Sequence, residues 1–311
     1  LKILNNNFIL ITMNIMYNIF RIKKGGSFMS LNDDFIYCRK IIKENSKSFY
    51  KAFSKLPKDK ANAIFAVYAF CRTADDLIDL NNDEESLLLF KDELYSFSEG
   101  KIIDKPLWRA LGEVFRNYDM DIRPFFEMID GQLMDANFKN IETQDELLNY
   151  CYYVAGTVGL MILPILSTKH HKELKEVAIK LGAAMQITNI LRDIGEDYKI
   201  NRIYIPKEVM DKFNYSSLDL ASNSINNNFI ELWEYEANIA EELYKETYKK
   251  INLFDKDSRA AVILSSRLYK EILNSVRKNN YDCLTKRNYV GIYKKIFTVI
   301  QCNFYINSLT T

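Results

Sequence analysis

Two pairs of aspartates constrain this chain more than any other feature. Asp75 and Asp79, in Thr73-Ala74-Asp75-Asp76-Leu77-Ile78-Asp79, and Asp193 and Asp197, in Asn189-Ile190-Leu191-Arg192-Asp193-Ile194-Gly195-Glu196-Asp197, each close an apolar helical run. A spacing of four residues sets both carboxylates of a pair on one face of a helix. Cys71, Tyr68 and Ile64 share the face of Asp75, and Asn189, Asp193 and Asp197 form a row with Gln186 just before it and Met185, Leu181 and Ala178 further back. Carboxylates that prolong a greasy stripe repel one another and are costly to desolvate. Divalent metal ions would compensate them.

The rest of the chain reads as helix. Only 10 Gly and 5 Pro punctuate 311 residues, so long uninterrupted helices are easier to write than many short strands. Helical patterns are expected over 33–43, 61–79, 83–97, 106–118, 122–136, 144–167, 172–193, 227–252 and 258–279, with breaks at 56–59, 81–83, 100, 119–123 and 199–207. The expected fold is all-α, a helical bundle around a central apolar channel. No repeat, low-complexity block or Pro/Ser-rich linker appears, which favours one domain over 29–311. The 42 Lys and Arg nearly balance the 41 acidic residues, which leaves no electrostatic case for nucleic acid. Cys38, Cys71, Cys151, Cys283 and Cys302 are scattered, without a CxxC, as expected of reduced core residues in the cytoplasm.

Residues 1–28 are expected to be a leader. The chain begins with Leu1, and the apolar stretch from Phe8 to Phe20 precedes Arg21-Ile22-Lys23-Lys24, the wrong polarity for a signal peptide and too short to span a bilayer. Lys24-Gly25-Gly26 can be back-translated to a ribosome-binding site ahead of Met29, the expected start; the alternative is a disordered or weakly helical extension. The aromatic tail from Tyr289 to Tyr305 is interrupted by Lys294-Lys295 and is not a transmembrane anchor.

Hard cations such as Mg²⁺ prefer oxygen ligands and use few protein carboxylates plus substrate phosphate. Two acidic helices thus suit a diphosphate held through several bridging ions. An isolated DDxxD reads equally well as a charged helix end; two, each after an apolar run and each with amide or Arg companions, favour the metal site. Lys47, Arg72, Arg192, Lys286 and Arg287 are candidate diphosphate ligands, although any one alone reads as a solvated charge. Ser46 and Ser48 could donate hydrogen bonds or cap a helix. Gly156 and Gly159 interrupt a helical pattern at about 1 kcal/mol each, so something must approach that backbone closely, either another helix or a bound chain.

These residues closely resemble the squalene/phytoene synthase family, the head-to-head prenyl transferases. The resemblance runs from about Asp33 to Lys295 and rests on Ser46-Lys47-Ser48-Phe49, Arg72 with the first acidic motif, Tyr150 with Ala155 to Gly159, Gln186 to Asp197, Arg202-Ile203-Tyr204-Ile205-Pro206, and Tyr281-Asp282 ahead of Lys286-Arg287. It implies an isoprenoid-synthase fold and condensation of two farnesyl diphosphates. By the same resemblance Asp75, Asp79, Asn189, Asp193 and Asp197 bind Mg²⁺, while Lys47, Ser48, Arg72, Gln186 and Tyr269 hold diphosphates. Asp76, Arg192 and Tyr204 support the site. Asn45 stands where a relative can carry a basic residue, and Lys286 where many carry Arg.

The chemistry then runs from an allylic cation to a cyclopropylcarbinyl (presqualene-type) diphosphate, and from its ionisation and proton loss to a conjugated triene. Phe49, Phe53, Tyr68 and Tyr150 are candidate walls of a channel that excludes water. Phe53, at a position resembling the channel floor, favours the farnesyl chain and hence dehydrosqualene, made without NADPH for carotenoid biosynthesis. Phytoene synthase, NADPH-dependent squalene synthase and a non-catalytic lipid-binding protein on the same fold are the alternatives. Because substrates and product are lipids, peripheral contact with the inner face of the membrane and a downstream desaturase partner are expected, although no dedicated amphipathic segment is legible.

Overall fold

A computed structural model of the protein describes residues 30–79 and 83–308, and every regular element among them is helical. The expected leader, 1–28, lies outside the described residues. The chain forms two compact units that meet in sequence between Ala136 and Asn137.

The first unit contains α1 (Leu31–Asn45), α2 (Lys47–Phe53), α3 (Lys58–Asp79), α4 (Glu84–Ser98), α5 (Pro106–Asn117) and α6 (Arg123–Ala136). Ser30 starts α1 through a capping box with Asp33, and Asp83 starts α4 by accepting from the Ser86 N–H at 2.9 Å. Pro106 occupies the first turn of α5, where a missing N–H costs nothing. The core is aromatic: Phe70 on α3 lies 5.1 Å from Phe90, 5.0 Å from Phe125 and 6.0 Å from Trp108 between ring centroids. A buried charge links two of these helices. Asp34, 1% exposed, accepts from Arg109 Nε at 2.9 Å and Nη2 at 2.6 Å, which ties α1 to α5.

The second unit contains α7 (Gln144–Cys151), a π-helical turn (Tyr152–Gly156), α8 (Thr157–Leu166), α9 (Lys175–Lys199), α10 (Lys207–Lys212), α11 (Ser217–Ala221), α12 (Asn227–Lys249), a 3₁₀ turn (Ile251–Leu253), α13 (Lys256–Lys278) and α14 (Ile292–Ser308). The long α9 is the pillar of this unit and packs on α12, α13, α8 and the π turn. Trp233 and Tyr244 of α12 are fully buried, and the Tyr244 hydroxyl meets Thr188 Oγ1 of α9 at 3.0 Å. The run Gln144–Leu166 is long and apolar enough to cross a membrane by composition alone. Its glycines have another use. A Cβ on Gly159 would stand 2.5 Å from the Ala178 carbonyl oxygen, and one on Gly182 of α9 would stand 2.4 Å from that of Ala155, so these backbones touch because side chains are missing. Of the two readings of Gly156 and Gly159, a neighbouring helix is the one found.

The nine expected helices are present within a few residues, with 172–193 extending to Lys199 and 144–167 divided by the π turn. The sequence did not suggest α2, α10, α11 or α14, which are short or carry their polar residues on the packed side.

Candidate functional site

The first acidic motif ends α3. Arg72 Nη1 contacts Asp75 Oδ2 at 3.0 Å and Nη2 pairs with Asp76 Oδ1, so one guanidinium holds two carboxylates of its own helix. All three side chains are half-buried, and Arg72 Nε is buried without a hydrogen-bond partner. Tyr68 and Ile64 occupy the same stripe further back, with Ile64 in the core. Burial pushes the Cys71 thiol up to about 12, reinforced by Asp75, so it remains protonated beside the motif. Asp79 is the last residue of α3, and its side chain lies outside the described residues.

The junction of α1 and α2 holds the serine motif. Ser46 sits where α2 begins, but its hydroxyl makes no capping bond; its N–H donates to the Ile42 carbonyl at 2.8 Å. Lys47 is exposed, Ser48 is half-buried, and Phe49 stacks on Phe53 at 5.9 Å, with Phe53 buried. Tyr50, which drew no attention in the sequence, accepts from Arg39 Nη2 at 2.7 Å and Nε at 3.1 Å, and this contact lowers the pKa of its hydroxyl.

The second motif lies on α9 and gathers more partners. Asn189 Nδ2 donates to Gln186 Oε1 at 3.3 Å, while Asn189 Oδ1 is buried without a hydrogen-bond partner. One turn on, Asp193 accepts from Arg192 Nε at 2.7 Å and pairs with Arg287 Nη2 at 3.2 Å. Arg287 also reaches Glu196 at 3.0 Å. Tyr269 of α13 faces this cluster; burial raises its hydroxyl pKa, opposed by the positive charge of Arg192. Lys286 turns to Asp282 at 3.2 Å instead. Among the proposed cations, therefore, Arg72, Arg192 and Arg287 engage motif carboxylates, and Lys47 and Lys286 lie elsewhere.

Gly195 and a strained loop bring Arg287 to α9. Asn280 and Tyr281 adopt left-handed conformations at φ 53° and 59°, and the chain turns so that the Gly195 N–H donates to the Cys283 carbonyl at 3.0 Å. The Leu191 carbonyl, one turn earlier, accepts from Trp233 Nε1 at 3.1 Å. A Cβ on Gly195 would collide with Leu284. Tyr281 is fixed by its hydroxyl donating to Glu234 at 2.8 Å.

Past the motif, the Asp197 carbonyl accepts from the Arg202 N–H at 2.9 Å, which leads the chain toward Tyr204. Tyr204 packs against Tyr150 at 5.1 Å and against Phe138 at 4.9 Å between ring centroids. Phe138 and Glu196 were missed as site residues: neither repeats a motif, and only the fold brings them to Tyr204 and Arg287.

A buried carboxamide oxygen without a donor, in line with carboxylates on the same helix face, suits a hard cation better than a soft one. Among the described residues no three His, Cys, Asp or Glu side chains form a ready-made metal cluster. The donors present fit ions that share their coordination between a few protein oxygens and a phosphate.

Residues 42–294 match the squalene/phytoene synthase family. A 4,4'-diapophytoene synthase of Staphylococcus haemolyticus is 36% identical over 271 residues, covering 86% of this chain and 95% of the relative. A phytoene synthase of Arthrospira platensis is 36% identical over 281 residues, covering 85% and 91%. Among solved structures, a dehydrosqualene synthase in complex with ligand shares 46% identity with a TM-score of 0.85, covering 89% of this chain and 98% of that one. The chain belongs to the squalene/phytoene synthase family.

Proposed function

We propose that the protein is a Mg²⁺-dependent prenyl transferase that joins two farnesyl diphosphates head to head, through presqualene diphosphate, to dehydrosqualene. The observation that carries the reading is the cluster on α9, where an unpaired buried amide oxygen and a carboxylate share one face and Arg192 and Arg287 converge on that carboxylate. An anionic leaving group needs this mixture of oxygen donors for metals and guanidinium groups for phosphate oxygens. The similarity to a diapophytoene synthase and a dehydrosqualene synthase supports the substrate and product.

On this reading Asp75, Asp79, Asn189, Asp193 and Asp197 hold the ions, whose positive charge, when bound, favours departure of diphosphate. Arg72, Arg192, Arg287, Lys47, Ser48, Gln186 and Tyr269 orient the diphosphates. Arg72 and Arg192 lie against their own acids, so charge compensation is built into each helix before substrate arrives. Phe49, Phe53, Tyr68, Tyr150 and Tyr204 offer apolar and aromatic surface that keeps water from the allylic cations. Each condensation breaks two C–O bonds, releases two diphosphates and loses two protons; a released diphosphate is the base.

Residues 29–311 then act as one catalytic domain. The enzyme works in the cytoplasm at the inner face of the membrane, hands its product to a desaturase and needs no NADPH. Mass spectrometry of the hydrocarbon formed from farnesyl diphosphate and Mg²⁺, with and without NADPH, tests the proposal. Dehydrosqualene in both reactions supports it. Squalene with NADPH, or product only from geranylgeranyl diphosphate as for a phytoene synthase, overturns the product assignment; no diphosphate release from either substrate overturns the catalytic reading.

A further inference from the structure

The loop that follows α13 is held down by one carboxylate of α12. Glu234 accepts from Arg277 Nε and Nη2, both at 2.8 Å, and from the Tyr281 hydroxyl at 2.8 Å. Arg277 sits in the last turn of α13, and Tyr281 is the second of the two left-handed residues that turn the chain. A bulky residue adopts that conformation only when its surroundings impose it. Trp233, the neighbour of Glu234 on α12, packs on both partners: the Tyr281 ring meets it in a T-shaped contact at 5.3 Å, and the Arg277 guanidinium lies 5.4 Å from its ring centre. Beyond the turn the loop braces itself. The buried Asn288 accepts from Asn279 Nδ2 and donates its own Nδ2 to the Asp282 carbonyl at 2.8 Å.

Both ends of this latch touch the second acidic motif. In a regular helix the Gly195 N–H would donate to the Leu191 carbonyl. On α9 that N–H donates to the Cys283 carbonyl, two residues past Tyr281, and the Leu191 carbonyl accepts from Trp233 Nε1. Asp193 lies between these two positions, and Arg287 reaches it from the same loop at 3.2 Å. An ion pair that merely joined α12 to α13 would need none of this. Glu241 makes such a pair, accepting from Arg277 Nη1 at 2.8 Å at a position that does not hold Tyr281. We propose that Glu234 is a positioning residue: through Tyr281 it holds the 281–287 loop against α9 and so sets Arg287 on Asp193 before any ligand arrives. The consequence for diphosphate capture rests on the activity proposed above, whereas the hold on the loop does not.

Tyr281→Phe removes one hydroxyl and leaves the pair of Glu234 with Arg277, while Glu234→Gln removes the charge and keeps the shape. In the full chain without ligand, both are expected to speed hydrogen exchange of the 279–288 amides and of the Gly195 N–H by about threefold to tenfold, the factor by which one lost hydrogen bond depletes the closed loop. Inorganic diphosphate with Mg²⁺, titrated calorimetrically, should bind more weakly to both by about the same factor. KM for farnesyl diphosphate should rise more than kcat falls, because bound diphosphate recruits Arg287 again. In an Arg287→Gln background, Tyr281→Phe should weaken diphosphate binding no further. Glu241→Gln should leave loop exchange and diphosphate binding at parental values, whatever it costs in stability. Unchanged exchange in Tyr281→Phe and Glu234→Gln, a further loss of binding in the double variant, or an equal effect from Glu241→Gln overturns the inference. Faster exchange in the two variants of a protein that binds no diphosphate would instead overturn the activity and leave the hold of Glu234 on the loop standing.

Discussion

Replacing Gly195 by alanine probes how the second acidic motif is assembled. An alanine Cβ would stand 1.9 Å from the Leu284 carbonyl oxygen and 2.4 Å from its carbon, against ordinary contact distances of about 3.5 Å. The obstacle is backbone, so the 283–287 segment must retreat by about 1.5 Å. That movement breaks the 3.0 Å bond from Gly195 N–H to Cys283 O. Overpacking costs about 1–3 kcal/mol and the hydrogen bond about 1 kcal/mol, while alanine returns about 1 kcal/mol of helix propensity. The expected net loss is about 1–3 kcal/mol, read as a lower urea midpoint with an unchanged slope. The same retreat draws Arg287 from its 3.2 Å contact with Asp193, so kcat/KM should fall in conditions where the variant is fully folded. Arg287→Gln removes that contact without the clash. If Gly195→Ala acts on turnover through Arg287, the double variant should be no slower than the slower single variant. A Gly195→Ala protein as stable as the parent would refute the close approach, and additive losses in turnover would refute the link to Arg287.

Three further expectations follow from buried groups and the proposed chain floor. Burial lifts the Glu236 carboxyl to about 7 from 4.5, with Gln144 Nε2 donating at 3.2 Å and opposing the shift. The unfolded chain then loses this proton first as pH rises, so the penalty is absent below about pH 4.5, grows up to about pH 7 and stays level above it. At about 1.4 kcal/mol per pH unit, Glu236→Gln should gain up to about 3 kcal/mol above pH 7 and almost nothing at pH 4.5, as measured by urea titration at both ends. Arg109→Met leaves the buried Asp34 carboxylate without its main partner and should cost about 3–5 kcal/mol; a loss under about 1 kcal/mol in chemical denaturation would contradict that pairing. Phe53→Ala should extend the accepted chain toward geranylgeranyl diphosphate if Phe53 closes the channel, and an unchanged hydrocarbon profile would remove that residue from length selection.

Periodicity determined much of this protein. Long apolar stripes with few Gly or Pro leave helix as the backbone arrangement that satisfies its hydrogen bonds, and the i, i+4 spacing of Asp193 with Asp197 by itself puts both on one stripe. The pairing of Arg72 with Asp76 was legible for the same reason, since both partners belong to one helix. Tertiary structure decided what arrives from a distance. Arg287 reaches Asp193 only because two left-handed residues turn the chain and Gly195 lacks a Cβ, and neither Glu196 nor Phe138 acquires a partner until the helices pack. The orientation of α14 is of the same kind: its sequence is apolar on one side, but which side meets α13 depends on Glu271 and Arg267 holding the polar one. Local spacing fixes faces because helix geometry is regular; contacts between elements depend on packing, which no single segment encodes.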